Sequence, residues 1–203
     1  MAHAVEDGQA LAAYDIVAVG TSAGGLAALS SILSLLPSDF PAPIVVVQHL
    51  DPKHRSHLAD LLERRSSLSV VEAREGDVLG PGRVYIAPPD RHLLVTPERR
   101  LSLGVSELVH FVRPSADLLF RSTAAVFSER AVAVVLTGNG SDGSAGALAV
   151  KQAGGLVIAQ DEPTSEFFGM PSAAIAAGAV DLILPLGEIA GALISLLDGA
   201  ERA

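Results

Sequence analysis

The sequence contains no cysteine and no tryptophan, and it is poor in aromatic and basic residues. Without cysteine the chain forms no disulfide, no cysteine-ligated zinc site and no thiolate nucleophile. Aromatic residues account for only 4% of the sequence, which argues against platforms for stacking nucleic-acid bases. Lys and Arg number 14 against 23 Asp and Glu, for a net charge of −9. This balance argues against general binding to nucleic acids and to anionic membrane surfaces.

A long uncharged apolar run is also lacking. A membrane-spanning helix needs roughly 20 consecutive apolar residues, and the nearest candidate, residues 176–197, is interrupted by Asp181, Pro185 and Glu188. The N-terminal residues carry acidic side chains and no basic cluster, which is unlike a secretory signal. We therefore expect no membrane insertion and a cytoplasmic location.

Hydrophobic residues make up 49% of the 203-residue chain and charged residues 18%, which excludes a mostly disordered protein. A chain of this length fits one domain. Because no internal repeat or break in composition marks a second domain, we expect a single domain over residues 1–203 with its core at about 14–197. No feature of the sequence demands a dimer, so we expect a monomer.

Short β-branched runs that are nearly continuous in apolar residues are typical of strands buried on both faces of a parallel sheet. Segments with apolar residues at helical spacing lie between them. This alternation predicts an α/β fold with a doubly wound, mainly parallel sheet and flanking helices. The predicted strands are 16–19, 44–47, 131–136, 156–159 and 180–184, and the predicted helices are 26–36, 57–65, 117–127, 145–153 and 186–197.

The segment 83–103 has a different pattern. Its short β-prone pieces are separated by Pro-Pro-Asp and Pro-Glu-Arg-Arg turn signals. We therefore predict an antiparallel hairpin or meander, inserted into the α/β body.

Three polar residues follow predicted strands, where open α/β sheets bind ligands. Ser22 follows the first strand within a Gly-rich turn, His49 ends the second strand, and Asp142 lies in the Gly-rich loop after the strand at 131–136. A hydroxyl, an imidazole and a carboxylate are the components of nucleophilic acyl transfer. The residues therefore indicate a serine nucleophile with a histidine base.

The residues alone leave several alternatives open. Asp51 and Asp161 also follow strands and compete with Asp142 as the acid. Ser22 could instead cap a helix in a phosphate-binding loop, and His49 could be structural. The Gly-x-Ser-x-Gly pattern also occurs in α/β-hydrolases, although their chain order is Ser, acid, His.

Cofactor and metal sites are weaker interpretations. A dinucleotide fingerprint needs Gly-x-Gly-x-x-Gly, and here Ser22 replaces the second glycine. The spacing of Asp51, His54 and His57 is compatible with metal ligands but matches no strong metal signature. We expect neither a cofactor nor a metal.

Six short motifs follow one another along the chain, and each is weak on its own. They are Gly20-Thr21-Ser22-Ala23-Gly24-Gly25, Gln48-His49-Leu50, Arg113-Pro114-Ser115-Ala116-Asp117, Leu136-Thr137-Gly138-Asn139-Gly140-Ser141-Asp142-Gly143, Gln160-Asp161 and Gly169-Met170-Pro171. In this order they are specific, and over about residues 14–197 the chain resembles the catalytic domain of the chemotaxis protein-glutamate methylesterase family, CheB.

The resemblance implies a mainly parallel sheet with an antiparallel hairpin and a catalytic triad of Ser22, His49 and Asp142. It implies hydrolysis of glutamate γ-methyl esters in the cytoplasmic region of methyl-accepting chemoreceptors, with release of methanol. Many members also deamidate receptor glutamines, and none of this chemistry needs a cofactor or metal. Main-chain N–H groups near Ala23 and Asn139 would hold the oxyanion.

Two departures from the family pattern bear on the partners. The usual N-terminal receiver domain is not expected, because the first predicted strand begins at about residue 15. Ala23 and Asn139 occupy positions where the family usually has Thr and Met. In this respect the sequence is similar to the branch of the family that is fused to a methyltransferase. The partner could therefore be a related sensory protein, with a methyltransferase or a regulatory domain as a further partner.

Three further residues receive no catalytic role. His110 is displaced from Arg113 by two residues, unlike the family's His-Arg-Pro run. Arg113 either lines the cleft or pairs with a loop carboxylate, and Met170 either walls the site or packs at a helix start. The alternative function is a non-catalytic sensory or protein-interaction module that retains the fold, against which the intact Ser, His and Asp argue.

Overall fold

The computed structural model describes residues 14–49 and 56–197. Strands and helices alternate along most of this part of the chain. The strands are β1 (Ile16–Thr21), β2 (Ile44–Gln48), β3 (Ser69–Glu72), β4 (Arg83–Ile86), β5 (His92–Val95), β6 (Leu101–Gly104), β7 (Ala131–Val135), β8 (Leu156–Gln160) and β9 (Leu182–Leu184). The helices are α1 (Gly25–Leu33), α2 (Leu58–Glu63), α3 (Ala116–Phe127), α4 (Ser144–Gln152), α5 (Gly169–Ala176) and α6 (Leu186–Leu197).

A seven-stranded sheet forms the centre of the fold, in the order β3-β4-β2-β1-β7-β8-β9. All of its neighbouring strands pair in parallel, which confirms the predicted doubly wound architecture. Strands β2, β3 and β4 lie on one side of β1. The chain then returns to the other side of β1, where β7, β8 and β9 follow in order. This reversal of strand order puts the carboxyl ends of β2, β1 and β7 next to one another, where such sheets bind ligands.

The central strands are buried because helices cover both faces of the sheet. Successive side chains of β1 point to opposite faces, so Val17 packs with α1 and α6 while Ile16 and Ala18 pack with α3 and α4. Gly20 allows α3 to lie close to β1, since a Cβ there would be 2.7 Å from the Cβ of Ala116. This close approach brings the N-terminus of α3 to the carboxyl end of the sheet.

The antiparallel hairpin predicted within 83–103 is confirmed as β5 and β6, but the first part of that segment lies elsewhere. The antiparallel ladder is confined to β5 and β6, whereas β4 lies in the parallel sheet between β3 and β2. Val84 and Ile86 contribute to the core on one face and Tyr85 to the core on the other. Burial on both faces, rather than the nearby turn signals, decides the pairing of β4.

Strand β3 and helix α5 were not predicted from the sequence. Two of the four residues of β3 are exposed, so its apolar signal is short. Helix α5 begins at Gly169 with Pro171 in its first turn, a position that proline tolerates although it breaks helices elsewhere. The remaining predicted elements occur with ends shifted by a few residues. Within the described residues, no helix has the length and apolarity required to cross a membrane.

Candidate active site

Ser22, His49 and Asp142 all lie at the carboxyl edge of the central strands. Ser22 follows the last residue of β1, and His49 follows the last residue of β2. Backbone hydrogen bonds continue beyond the strands, since the Ser22 N–H donates to Thr137 O at 3.0 Å and the His49 N–H to Thr21 O at 3.1 Å. The three segments therefore leave the sheet in a fixed relation to one another.

His49 and Asp142 form a hydrogen-bonded pair. His49 Nε2 lies 2.8 Å from Asp142 Oδ2, and the side chains are 13% and 3% exposed. Asp161, the competing acid, accepts hydrogen bonds from Thr164 in its own loop. Asp51, the third candidate, lies outside the described residues. Of the candidates that the structure describes, Asp142 is the one that contacts the imidazole.

The Asp142 carboxylate sits at the N-terminus of α3. It accepts hydrogen bonds from Ser115 Oγ at 2.7 Å, the Ala116 N–H at 2.6 Å and the Asp117 N–H at 3.2 Å. Burial raises the pKa of Asp142, but the hydrogen bonds from His49, Ser115 and the two N–H groups outweigh it, so the pKa lies below its usual value. The group is therefore an ionised carboxylate at neutral pH, able to orient the imidazole and to stabilise its protonated form.

Asp117 holds α3 against the start of α4. Its Oδ1 accepts the Gly146 N–H at 2.6 Å, and its Oδ2 lies 3.1 Å from His110 Nε2. Gly146 must be small, because a Cβ there would be 2.7 Å from the Asp117 carbonyl oxygen. The contact of His110 is thus with Asp117, whose N–H in turn donates to Asp142.

The Ser22 hydroxyl is available for reaction. Ser22 is half-buried, and its Oγ makes no hydrogen bond to any residue described here. The main-chain N–H groups of Ala23 and Asn139 likewise have no partner among the described residues. Gly138 brings the Asn139 loop against the serine, since a Cβ on Gly138 would be 2.8 Å from Ser22 Cβ. Two free N–H donors therefore belong to the segments that surround Ser22, as an oxyanion site requires.

Gln48 is a site residue that the sequence analysis did not single out. Its buried Nε2 donates to Ser22 O at 2.7 Å and to His49 O at 3.0 Å. One side chain thus holds the backbones of both residues. The signals in the sequence are that Gln48 directly precedes His49 at the end of a strand and that it belongs to the Gln48-His49-Leu50 motif.

Thr137 ties together the loops around the serine. Its N–H donates to Gln160 Oε1 at 2.9 Å, and its Oγ1 donates to Ala23 O at 3.0 Å and accepts the Phe167 N–H at 2.9 Å. These bonds join the turn after β1, the loop after β7 and the segment before α5. The surroundings of Ser22 are consequently built before any substrate arrives.

Two depressions flank the three residues. A cavity of about 440 Å³ contains Ser22 and is also lined by Gln48, Arg65 and Glu166. A smaller one of about 150 Å³ contains His49 and is also lined by Arg113. A cavity of about 480 Å³ beside β3 and β4 contains none of the three residues, and its mixed charges indicate no acyl-transfer chemistry.

The sequence left two roles open for Arg113 and two for Met170, and the structure places the two residues differently. Arg113 lines the small depression and also pairs with Asp90, with Nη2 to Oδ1 at 2.6 Å. Met170 is fully buried, and its Sδ lies 2.4 Å from where a Cβ on Gly138 would be. Met170 therefore packs behind the loop that faces Ser22.

The possible metal ligands are engaged in other contacts. His110, Asp117 and Asp142 each place one possible ligand atom within 4.8 Å of the others. Both carboxylates, however, already accept backbone N–H groups, and Asp142 is also hydrogen-bonded to His49. The sequence also suggested Asp51, His54 and His57 as metal ligands. Of these, His57 is exposed beside Asp60, and Asp51 and His54 lie outside the described residues. Leu50 of the Gln-His-Leu motif lies outside them as well.

Known proteins resemble the chain over nearly all of its length. The family model described as CheB methylesterase matches residues 17–193. The protein-glutamate methylesterase/protein-glutamine glutaminase 2 of Anaeromyxobacter dehalogenans is 48% identical over 190 residues, which cover 91% of this chain and 54% of that protein. The putative protein-glutamate methylesterase/protein-glutamine glutaminase of Leptospira interrogans is 39% identical over 183 residues, covering 90% of this chain and 95% of that protein.

A solved structure agrees with these matches. The catalytic domain of the Thermotoga maritima CheB methylesterase superimposes with a TM-score of 0.88 at 42% identity, covering 91% of this chain and 99% of that one. The chain spans about half the length of several curated relatives, including 45% of the Moorella thermoacetica protein-glutamate methylesterase/protein-glutamine glutaminase.

Proposed function

The chain belongs to the CheB methylesterase family, and from that premise we propose that it is a serine hydrolase that demethylates proteins. Its substrates are γ-methyl esters of glutamates in the cytoplasmic region of a methyl-accepting chemoreceptor or a related sensory protein. Its products are methanol and a glutamate side chain. The names of the relatives support this substrate class, because they are protein-glutamate methylesterases.

The single observation that carries the proposal is the contact of His49 with Asp142 at the strand ends that also present Ser22. Because Asp142 binds Nε2 of the ring, that nitrogen carries the proton and Nδ1 is the basic nitrogen. In the first step, Ser22 Oγ attacks the ester carbonyl carbon while Nδ1 accepts the hydroxyl proton. The N–H groups of Ala23 and Asn139 donate to the resulting oxyanion.

The tetrahedral intermediate then collapses. The C–O bond to the methoxy group breaks as Nδ1–H of the imidazolium of His49 gives its proton to the leaving oxygen, which departs as methanol. A water molecule, deprotonated by Nδ1, attacks the acyl-serine. Collapse of this second intermediate returns the proton from His49 to Ser22 Oγ and releases the glutamate carboxylic acid, which loses its remaining proton to solvent and becomes the carboxylate. Asp142 stays ionised throughout and stabilises the imidazolium.

The same steps act on a glutamine side chain, with ammonia as the leaving group in place of methanol. Relatives named as protein-glutamine glutaminases support deamidation as a second activity. We also propose that residues 14–197 form a single catalytic domain that acts as a monomer in the cytoplasm. A methyltransferase or a regulatory domain is its proposed further partner.

The decisive experiment measures methanol release from a methylated cytoplasmic fragment of a chemoreceptor. The unsubstituted chain should release methanol, and Ser22→Ala should lose on the order of 10⁴-fold or more of the rate while keeping its circular dichroism spectrum. Ser141→Ala, an exposed serine in the Asp142 loop, is the matched control. Methanol release that persists in Ser22→Ala would overturn the role of the nucleophile. Failure of both methanol release and phosphonate labelling at Ser22 would favour the non-catalytic module.

A further inference from the structure

Glu166 places an unpaired carboxylate beside the nucleophile. Its side chain is exposed and lines the cavity that contains Ser22. Its Oε2 lies 2.8 Å from where a Cβ on Gly24 would be, at the residue that precedes α1. Among the described residues, Glu166 has neither a hydrogen bond nor an ion pair, and it does not cap α1. Within residues 14–49 and 56–197, no structural partner accounts for the charge of Glu166.

The end of α1 next to Ser22 favours anions. The first N–H groups of a helix lack intrahelical partners, and the helix dipole adds a partial positive charge there. A glutamate carboxylate produced at Ser22 would be retained by this end of the helix, whereas the methyl ester that enters the site is uncharged. The product thus gains an electrostatic attraction that the substrate lacks.

The charge of Glu166 acts more strongly on the product than on the reaction intermediates. In the proposed mechanism the oxyanion exists together with the imidazolium of His49, so the reacting groups carry no net charge. In the product complex, once the carboxyl proton has passed to solvent, the glutamate carboxylate gives the reacting groups a net negative charge. Repulsion from Glu166 therefore falls mainly on the bound product.

We propose that Glu166 is a specificity-determining residue that favours the uncharged ester over the glutamate carboxylate and promotes release of the product. The inference rests on the proposed function, because it concerns the substrate and product of that reaction. Arg65 lines the same cavity and carries the opposite charge, but it makes no ion pair with Glu166 within the described part of the chain. The Glu166 carboxylate lies against Gly24, two residues after Ser22.

The test compares binding of two helical receptor fragments that differ only in one side chain, glutamate γ-methyl ester or glutamate. Titration calorimetry in the Ser22→Ala background measures both affinities without turnover. Glu166→Gln should tighten binding of the glutamate fragment relative to the ester fragment by about three- to tenfold at low ionic strength. The change should shrink at about 1 M salt, where the Debye length is near 3 Å.

Glu162→Gln is the matched control, since Glu162 is exposed in the same loop but does not line the cavity. Its ratio of affinities should equal that of the background. An unchanged ratio in Glu166→Gln, or an equal change in Glu162→Gln, would overturn the inference. Failure of the unsubstituted chain to release methanol would instead overturn the proposed hydrolysis, because the binding ratio does not depend on turnover.

Discussion

His49 Nε2 lies 2.8 Å from Asp142 Oδ2, so in the proposed mechanism Nδ1 is the ring nitrogen that acts as the base. The Asp142 carboxylate is itself held by Ser115 and by two N–H groups at the start of α3. Helix α3 therefore helps to set the orientation of the imidazole, although His49 follows β2 and is 93 residues away from Asp142 in sequence. Substitutions that disrupt this arrangement should reduce the reaction rate without unfolding the hydrophobic core.

Asp142→Asn should lower methanol release by about 10⁴-fold, because the amide no longer holds the imidazole of His49 in the tautomer and orientation that the reaction needs. The measurement is the rate on a methylated receptor fragment, with circular dichroism as the check on folding. Asp161→Asn is the matched control, since Asp161 also follows a strand but contacts Thr164. Equal losses in the two variants would contradict the assignment of the acid.

The lowered pKa of Asp142 predicts a specific dependence of stability on pH. A carboxyl whose pKa is lower in the folded state stabilises the protein above its unfolded pKa and loses this contribution as pH falls through the folded value. The window therefore lies below the ordinary value of 3.8. Urea unfolding between pH 7 and pH 2 should show a smaller acid loss of free energy of unfolding in Asp142→Asn than in the unsubstituted chain.

Asp15 serves as the comparison for this experiment. Its hydrogen bonds with Arg130 lower the pKa of Asp15, so this residue contributes in the same direction and remains in the Asp142→Asn variant. Acid sensitivity should therefore be reduced in that variant, not removed. An identical pH profile in both proteins would contradict the stabilisation assigned to the Asp142 carboxylate.

Gly138→Ala should lower activity sharply, because the added Cβ would be 2.4 Å from Met170 Sδ and 2.8 Å from Ser22 Cβ. The loop must move away from the serine, and displacements of this kind cost roughly 1–3 kcal/mol of stability. Methanol release and urea unfolding measure the two effects. Gly187→Ala in α6 has no neighbour within 4 Å of the added atom and should retain activity. Full activity in Gly138→Ala would show that the loop does not need this close packing.

Gln48→Leu should reduce the rate by up to about 10²-fold, the loss expected when reacting groups shift by about 1 Å. The substitution removes the donor that holds the carbonyl groups of Ser22 and His49. The kinetic parameter to compare is kcat, since the substrate still reaches the same cavity. Gln152→Leu at the exposed end of α4 is the control. A change confined to KM would contradict a positioning role for Gln48.

Sequence reasoning succeeded where burial leaves a strong pattern. The strands β1, β2 and β7 are buried along their whole length and appear as continuous β-branched runs. It missed β3, which lies at the edge of the sheet, and it assigned β4 to a hairpin because turn signals follow it. Pairing partners depend on residues distant in the chain, so local patterns cannot supply them.

From the sequence alone follow the class of fold, the strands that carry the site and a serine and a histidine at the ends of those strands. The family resemblance implied Asp142 as the acid, and the tertiary structure shows that Asp142, among the candidates it describes, contacts His49. Asp142 follows β7, which is next to β1, whereas Asp161 follows β8, one strand farther from His49. The tertiary structure also places Asp142 against Nε2 of His49, Gln48 against the backbone carbonyl groups of Ser22 and His49, and Glu166 in the cavity that contains Ser22. These are distances between segments far apart in the chain, and they follow from strand order and helix packing, which no local pattern of residues encodes.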